Sequence, residues 1–227
     1  MKINTSDVNF TSRPQIVNDA RKVMHLLTTE FPAVSGTQVS EFKCAQGSQQ
    51  FQNLAARINS RIQNLIRAPF WDEFMKSPAG NYYNTLVTGI KKYSIANCSD
   101  FSKVWNLLSK LNGIQSHPAE IYLVRPDDAI VGRIDHAIHF INLGKMEFPK
   151  CDKLSKLKDI LIVDPWLGFV DYAPVADLKF KYDFARFFKI PDGYNIMLNP
   201  YTNKEPDVTE NIFNFFKNNF PQFFIKK

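Results

Sequence analysis

The chain has 227 residues, of which 44% are hydrophobic and 22% charged, with 20 phenylalanines, and this composition is typical of a folded protein rather than a disordered one. A chain of this length buries a sizeable core, which favours one main domain. Lys and Arg exceed Asp and Glu by 28 − 22 = 6, but the excess is spread along the chain without zinc-finger spacing or an RNA-recognition signature. We therefore expect no nucleic-acid partner.

The three cysteines, Cys44, Cys98 and Cys151, lie far apart in the sequence, and their odd number leaves at least one thiol free. A reducing compartment such as the cytosol is therefore the simpler expectation. The first ten residues, MKINTSDVNF, lack the apolar core of a signal peptide, and no run of about eighteen apolar residues predicts a membrane span. We expect neither an N-terminal export signal nor a membrane-spanning segment.

Helical periodicity dominates the first part of the chain. Apolar residues recur every three or four positions over residues 13–31 and again from about residue 49 to 75. Pro32 ends the first helix, and Pro69 is expected to break the second. A third helix is predicted over residues 82–93. The expected apolar positions are Ile16, Ala20, Val23, Met24 and Leu27 in the first helix and Phe51, Leu54, Ile58, Ile62 and Leu65 in the second.

The stretch ANCSDFSKVWNLLSKLNGI, residues 96–114, predicts a helix that carries a cysteine in its first turn. Asn97 suits the N-cap, and Asn112-Gly113 is a good C-terminal stop. Cys98 lies on the apolar stripe, where its sulfur meets the unpaired N–H groups and positive dipole end that favour a thiolate. A buried, inert cysteine fits the same position. The rest of the stripe is Phe101, Val104, Trp105, Leu108 and Leu111.

Beyond Pro118 the pattern changes to short apolar runs, which predict strands over residues 120–124, 134–143 and 160–166. Helices followed by strands predict an α+β fold rather than alternating βαβ units. Alternation in the second strand places His136 on one face and His139 on the other. Asp164 is the polar residue on the apolar face of the third strand. The face of His136 also carries Ile134, Ile138 and Phe140, and that of Asp164 also carries Ile160, Ile162 and Trp166.

An antiparallel register that sets His136 opposite Asp164 also sets Ile134 opposite Trp166 and Phe140 opposite Ile160. Directly opposed Cβ atoms are roughly 5 Å apart, close enough for a carboxylate to hold an imidazole. With the cysteine helix packed on this face, a thiol, a base and an orienting acid would meet, and the backbone N–H of the cysteine would be an oxyanion donor.

The other histidines fit this arrangement less well. His139 would face away, as a surface or satisfied core residue. His25 and His117 have no carboxylate pattern nearby.

The segments NCSDFSKVWNLLSKLNGIQSHPAEIYLV, DHAIHFI and LIVDPW together resemble the transglutaminase-like core of the papain-like superfamily. The resemblance covers about residues 93–172 and matches Cys98 to the nucleophile, His136 to the base and Asp164 to the orienting acid. It departs at Ala96, where the family often has Gly, and at Ile138, where an aromatic residue often follows His-Ala. It implies a cysteine-bearing helix packed on an antiparallel sheet.

Proteins of this superfamily act on glutamine side chains of proteins, transferring the acyl group to lysine or water, and some hydrolyse peptide bonds. The resemblance therefore implies a thiol acyltransferase that cross-links or deamidates a protein substrate through a Cys98 thioester. Several bacterial toxins and injected effectors resemble this superfamily, so delivery from a bacterium into a host cell is compatible with it. We expect no cofactor and no metal, because no acidic cluster has calcium-loop spacing.

Trp166 and Trp105 are candidate walls of a substrate channel, and a role as core aromatics fits them at least as well.

Two alternatives fit the same residues. A papain-like cysteine protease shares every step up to the acyl-enzyme. A catalytically silent protein-binding module would use the helical N-terminal half and the aromatic C-terminus as contact surfaces. We divide the chain into a helical region over residues 1–90 that packs on the core, a catalytic core over 91–205, and an aromatic C-terminal helix over 206–227. That last helix either docks on the protein's own core or meets a partner.

Overall fold

The computed structural model describes residues 13–35, 49–77, 81–144, 151–183, 190–200 and 206–225, and they form a mixed α+β structure with an antiparallel sheet. The segment expected to lack an export signal, and Cys44, lie outside the described residues. In the part of the chain that is described, no helix has the length and apolar character that crossing a membrane requires.

The helices are α1 (Arg13–Glu30), α2 (Gln49–Ile62), α3 (Ala68–Lys76), α4 (Tyr82–Tyr93), α5 (Cys98–Leu111), α6 (Ala173–Asp183) and α7 (Glu210–Asn219). The strands are β1 (His117–Val124), β2 (Ile130–Asn142), β3 (Asp152–Lys153), β4 (Ile160–Asp164), β5 (Phe169–Tyr172) and β6 (Asn195–Pro200). Their order across the sheet is β3-β6-β1-β2-β4-β5. The helices predicted over residues 13–31, 82–93 and 98–111 are confirmed, as are the three predicted strands.

The second helical region departs from the prediction. A π-helical turn, Gln63–Arg67, joins α2 to α3, and Pro69 lies in the first turn of α3 instead of breaking the chain. Proline is tolerated there because its missing N–H would have no helical partner. The buried stripe is also displaced: Leu54 is 44% exposed, and Ala55 and Ile66 are buried. The side chain of Phe51 lies outside the described residues.

The main core lies on the face of the sheet that α5 covers. Every predicted stripe residue of α5 from Phe101 to Leu111 is buried there. The same core also contains residues of α1, of α4 and of the C-terminal segment 206–225, called the aromatic tail below. It therefore draws residues from all three segments into which the sequence divides the chain. From the sheet, the core takes Ile141, Leu161 and Val163.

The opposite face of the sheet forms a second core under α6, a helix that the sequence reading missed. Phe180 of α6 is fully buried there, together with Ile138 and Phe140 of β2. The prediction that the cysteine helix packs on the face of Ile138 and Phe140 is therefore wrong. These residues face α6, and α5 packs on the other side of the sheet.

The strands β2 and β4 pair antiparallel, two residues away from the predicted register. Phe140 lies opposite Ile162 instead of Ile160, and the ladder ends where His139 meets Val163. Because Pro165 has no N–H to donate, β4 stops at Asp164 and the pairing does not extend to His136. A shift of two residues leaves each side chain on the same face of the sheet, so the predicted grouping of residues by face holds although the register is wrong.

The aromatic tail docks on the protein's own core, the first of the two alternatives for this segment. Its residues Ile212, Phe216 and Phe223 are fully buried in the main core. Asn112, just after α5, holds the segment by both ends of its amide. Its Nδ2 donates to the carbonyl of Phe223 at 2.9 Å, and its Oδ1 accepts from the N–H of Ile225 at 2.7 Å.

Candidate active site

Cys98 is the first residue of α5, and its side chain is partly buried. Asn97 is the N-cap, as predicted, with extended backbone angles. The carboxylate of Asp100 accepts a hydrogen bond from the Asn97 N–H at 2.9 Å, which closes the first turn. The thiol therefore stands at the positive end of a capped helix, where backbone N–H groups without helical partners favour a negative charge.

A bulge in β2 brings His136 to the thiol. Ile134 lies opposite Ile121 and Ile138 lies opposite Ala119, so three residues of β2 share the single position of Glu120 on β1. Such irregularities bend the strand and re-aim side chains. The two isoleucines stay in the core under α6, whereas the imidazole of His136, in the middle of the bulge, forms a hydrogen bond with Cys98.

Asp164 fixes the imidazole from the other side. Its Oδ2 accepts a hydrogen bond from Nε2 of His136 at 2.6 Å, and both side chains are almost fully buried. Its Oδ1 accepts from the backbone N–H groups of Trp166 and Leu167 at 3.0 and 2.9 Å. With both oxygens held, the carboxylate sets the orientation of the ring. Because Nε2 is occupied, Nδ1 is the ring nitrogen left to face Cys98.

The electrostatics of the pair favour a charged imidazole. Burial by itself lowers the pKa of His136, but the charge and hydrogen bond of Asp164 outweigh it, and Cys98 adds to the effect. The pKa of His136 rises from 6.5 to about 10 as a result. An imidazolium that persists at neutral pH is the natural counter-ion for a thiolate.

The two tryptophans named as channel walls have different positions. Trp166 lies beside His136, with the two rings edge to face and their centroids 5.2 Å apart. Trp105 lies away from these groups, two turns along α5 from Cys98. It is fully buried, and its indole N–H donates to Ser116 Oγ at 3.0 Å. The structure thus brings Trp166, but not Trp105, to the site.

His139 has a partner of its own on the cysteine helix. It is fully buried on the α5 side of the sheet, and its Nε2 lies 2.8 Å from the hydroxyl of Ser102. His139 is therefore a core residue, one of the two roles that the sequence interpretation gave it. Its contact is with α5, however, because that helix packs on the face opposite to the predicted one.

Arg67 belongs to the site and was missed by the sequence reading. From the end of the π-helical turn it donates to both carboxylate oxygens of Asp100, at 3.0 and 3.3 Å, and to Ser99 Oγ at 2.6 Å. Thirty-three residues separate Arg67 from Asp100, so no local pattern relates them. The acidic residue in the first turn of α5 was the only available signal that a cation is needed there.

The described residues include no group of three or more His, Cys, Asp or Glu side chains that could hold a metal ion. No family model, curated protein or solved structure matches this chain. What the site can do therefore follows from its own chemistry. It holds a partly accessible thiol, an imidazole beside it and a buried carboxylate behind the imidazole, which are suited to act as a nucleophile, a base and an orienting acid.

Proposed function

We propose that this protein is a thiol acyltransferase that acts on glutamine side chains of proteins through a Cys98 thioester. The observation that carries the proposal is the continuous line of hydrogen bonds from Cys98 through His136 to Asp164. The same residues appear in the order and on the elements of a transglutaminase-like core: a cysteine at a helix start, a histidine on one strand and an aspartate at the end of its antiparallel neighbour.

The first half-reaction forms the thioester. The Cys98 thiolate attacks the carboxamide carbon of the glutamine side chain, and negative charge develops on the carbonyl oxygen. The backbone N–H of Cys98 can donate to that oxygen because it begins a helix and has no acceptor within it. The His136 imidazolium then gives its proton to the leaving nitrogen, the C–N bond breaks and ammonia departs.

The second half-reaction releases the acyl group. His136, now neutral, takes a proton from an incoming lysine amine or from water, which attacks the thioester carbon. The C–S bond breaks and the Cys98 thiolate is restored beside the imidazolium. An amine gives an isopeptide cross-link, and water converts glutamine to glutamate. Throughout, Asp164 keeps the same ring nitrogen protonated, so that the other can exchange protons with the substrate.

The choice of glutamine as the donor rests on the resemblance of the three segments around Cys98, His136 and Asp164. The same three groups would also form an acyl-enzyme from a peptide bond, so proteolysis is the outcome against which the proposal is tested. A silent binding module is less favoured, because it would have no use for a buried carboxylate held to a histidine beside a partly accessible thiol.

The test is a search for covalent chemistry that depends on Cys98. Host-cell lysate is incubated with the protein and a biotinylated primary amine, and labelled proteins, released ammonia and new N-termini are measured. We expect biotin on a small set of proteins, or a one-dalton glutamine-to-glutamate shift. Ammonia is released in either case, and no new N-termini form.

Two variants serve as controls. Cys98→Ala abolishes these products if the proposal is right. Cys151→Ala removes the exposed thiol just before β3 and leaves the products unchanged. New N-termini that depend on Cys98, without amine incorporation or deamidation, would establish a protease instead. Products that persist in Cys98→Ala would remove the thioester from the mechanism altogether.

A further inference from the structure

Arg67 joins the helical N-terminal region to the first turn of α5, beside a second contact in which Asn59 Oδ1 accepts from Asn97 Nδ2 at 3.1 Å. Arg67, at the end of the π-helical turn, places its guanidinium across the Asp100 carboxylate in a two-pronged contact and extends to the hydroxyl of Ser99. These two residues immediately follow Cys98. The same carboxylate caps the N–H of Asn97, so the residues on either side of the nucleophile are tied to one guanidinium.

The contact has an electrostatic consequence. Asp100 has no solvent exposure and lies in the same helical turn as Cys98, where an uncompensated carboxylate would oppose a thiolate. Arg67 supplies the compensating charge and remains 29% exposed at its side chain. A guanidinium matches both oxygens of a carboxylate in a fixed plane, which a lysine ammonium does not do. The contact therefore constrains both charge and orientation.

The backbone holds Arg67 in place. The preceding residue, Ile66, is fully buried, and α4 approaches it at Gly89. A Cβ at Gly89 would lie 3.0 Å from Ile66 Cδ1 and 3.3 Å from the Leu65 carbonyl oxygen, so a glycine permits this approach. A π turn is an uncommon conformation that recurs at functional sites, and here it delivers the arginine to the nucleophile helix.

We propose that Arg67 is a positioning residue for Cys98: it fixes the first turn of α5 so that the thiol faces His136, and it neutralises Asp100 beside the thiolate. The helical N-terminal region is then a working part of the catalytic site. This inference rests on the proposed function only in taking Cys98 as the nucleophile, and it assigns a role to a residue that touches neither the substrate nor the reacting atoms.

The experiment compares alkylation of Cys98 by iodoacetamide across pH in the full chain, read by mass spectrometry, with thermal melts for each variant. The variants are Arg67→Met, Arg67→Lys and the double variant Arg67→Met with Asp100→Asn. The matched control is Lys110→Met. It removes one positive charge from the opposite end of α5, where Lys110 pairs with Asp207 at 3.0 Å, about 18 Å along the helix from Cys98.

In Arg67→Met we expect the pH midpoint of Cys98 alkylation to rise by about one unit and the rate near pH 6 to fall about tenfold. Arg67→Lys should keep the midpoint near that of the wild type, while acyl transfer falls in kcat more than in KM. The double variant should recover most of the midpoint, since it removes the uncompensated carboxylate. A merely structural role for Arg67 predicts no such recovery.

Three results would overturn the inference. One is a folded Arg67→Met protein with the same alkylation profile as Lys110→Met. Another is a double variant whose midpoint stays as high as that of Arg67→Met. The third result applies if Arg67→Met does not fold: an Arg67→Lys protein with unchanged kcat would then overturn the inference. Failure of Cys98 as the nucleophile looks different: wild-type Cys98 would then react no faster than Cys151, whatever residue 67 is.

Discussion

Replacing Asp164 by Asn tests the proposed catalytic arrangement with the smallest change in shape. Oδ1 of an asparagine can still accept from the N–H groups of Trp166 and Leu167, so the turn after β4 is kept. The other end of the amide is then an NH₂ group directed at Nε2 of His136. As a donor, it requires Nε2 to be unprotonated, which places the proton of a neutral ring on Nδ1, facing Cys98. The ring is then in the wrong tautomer to accept a proton from the thiol.

The size of the effect follows from the lost charge. At an effective dielectric constant of about 20, unit charges about 4 Å apart interact by roughly 4 kcal/mol, which equals about 3 pH units. That agrees with the rise in the pKa of His136 from 6.5 to about 10 with Asp164 as its main positive cause. In Asp164→Asn the pKa of His136 should therefore be about 3 pH units lower, so that the imidazolium loses its proton near neutral pH. As a result, kcat at neutral pH should fall at least about 10³-fold.

The assay is the pH dependence of acyl transfer, supported by NMR titration of the His136 ring. In the wild type the alkaline limb should lie near pH 10, where the imidazolium loses its proton, and in Asp164→Asn it should lie near or below pH 7. Asp164→Glu, which keeps the charge but lengthens the side chain, is the control and should retain the alkaline position of the limb. An unchanged pH profile in a folded Asp164→Asn protein would refute the role given to this carboxylate.

Three further predictions concern the two strand histidines, the two described cysteines and Gly113. His136→Ala should abolish acyl transfer, whereas His139→Ala should retain it. The latter should lose about 1–3 kcal/mol of unfolding free energy in urea titration, because a fully buried ring and its hydrogen bond to Ser102 are removed. The reverse pattern would exchange the roles of the two histidines. Iodoacetamide near pH 6 should label Cys98 before Cys151, since only the former stands at a helix start beside an imidazole, and equal labelling would argue against a thiolate there. Gly113→Ala should cost about 1 kcal/mol in thermal unfolding: the residue has φ of +70° with nothing within 4 Å of an added Cβ, so a neutral result would contradict a purely conformational cost.

The parts of the fold that were predictable are those fixed by local pattern. The limits of α5, its N-cap at Asn97 and its stop at Gly113 follow from the stripe and from end signals, and the structure has all of them. The α+β class followed from the change of period after Pro118. The π-helical turn could not be read in the same way, because its apolar positions fit an ordinary helix, and Gly89, which Ile66 approaches closely, lies in a different helix.

The structure brings together the three side chains that the sequence named, but in a geometry that the sequence did not predict. Alternation put His136 and Asp164 on one face of a regular ladder, with α5 packed above them. In the structure that face belongs to α6, and the bulge opposite Glu120 turns the histidine to the other side. A bulge cannot be recognised from the sequence when apolar and polar residues alternate on both sides of it. The chain order of thiol, imidazole and carboxylate was therefore a better guide than the register that was used to support it.

The amide of Asn112 links the end of α5 to residues more than a hundred positions further along the chain. During synthesis, α5 emerges from the ribosome long before Phe223 and Ile225. Until they arrive, the main core lacks the aromatic residues of the tail, and the Asn112 side chain keeps only its local bond to the Leu108 carbonyl. At elongation rates of about 5–20 residues per second, that delay lasts on the order of ten seconds. A nascent chain therefore carries the complete Cys98, His136 and Asp164 set well before it has the scaffold that holds the cysteine helix in place.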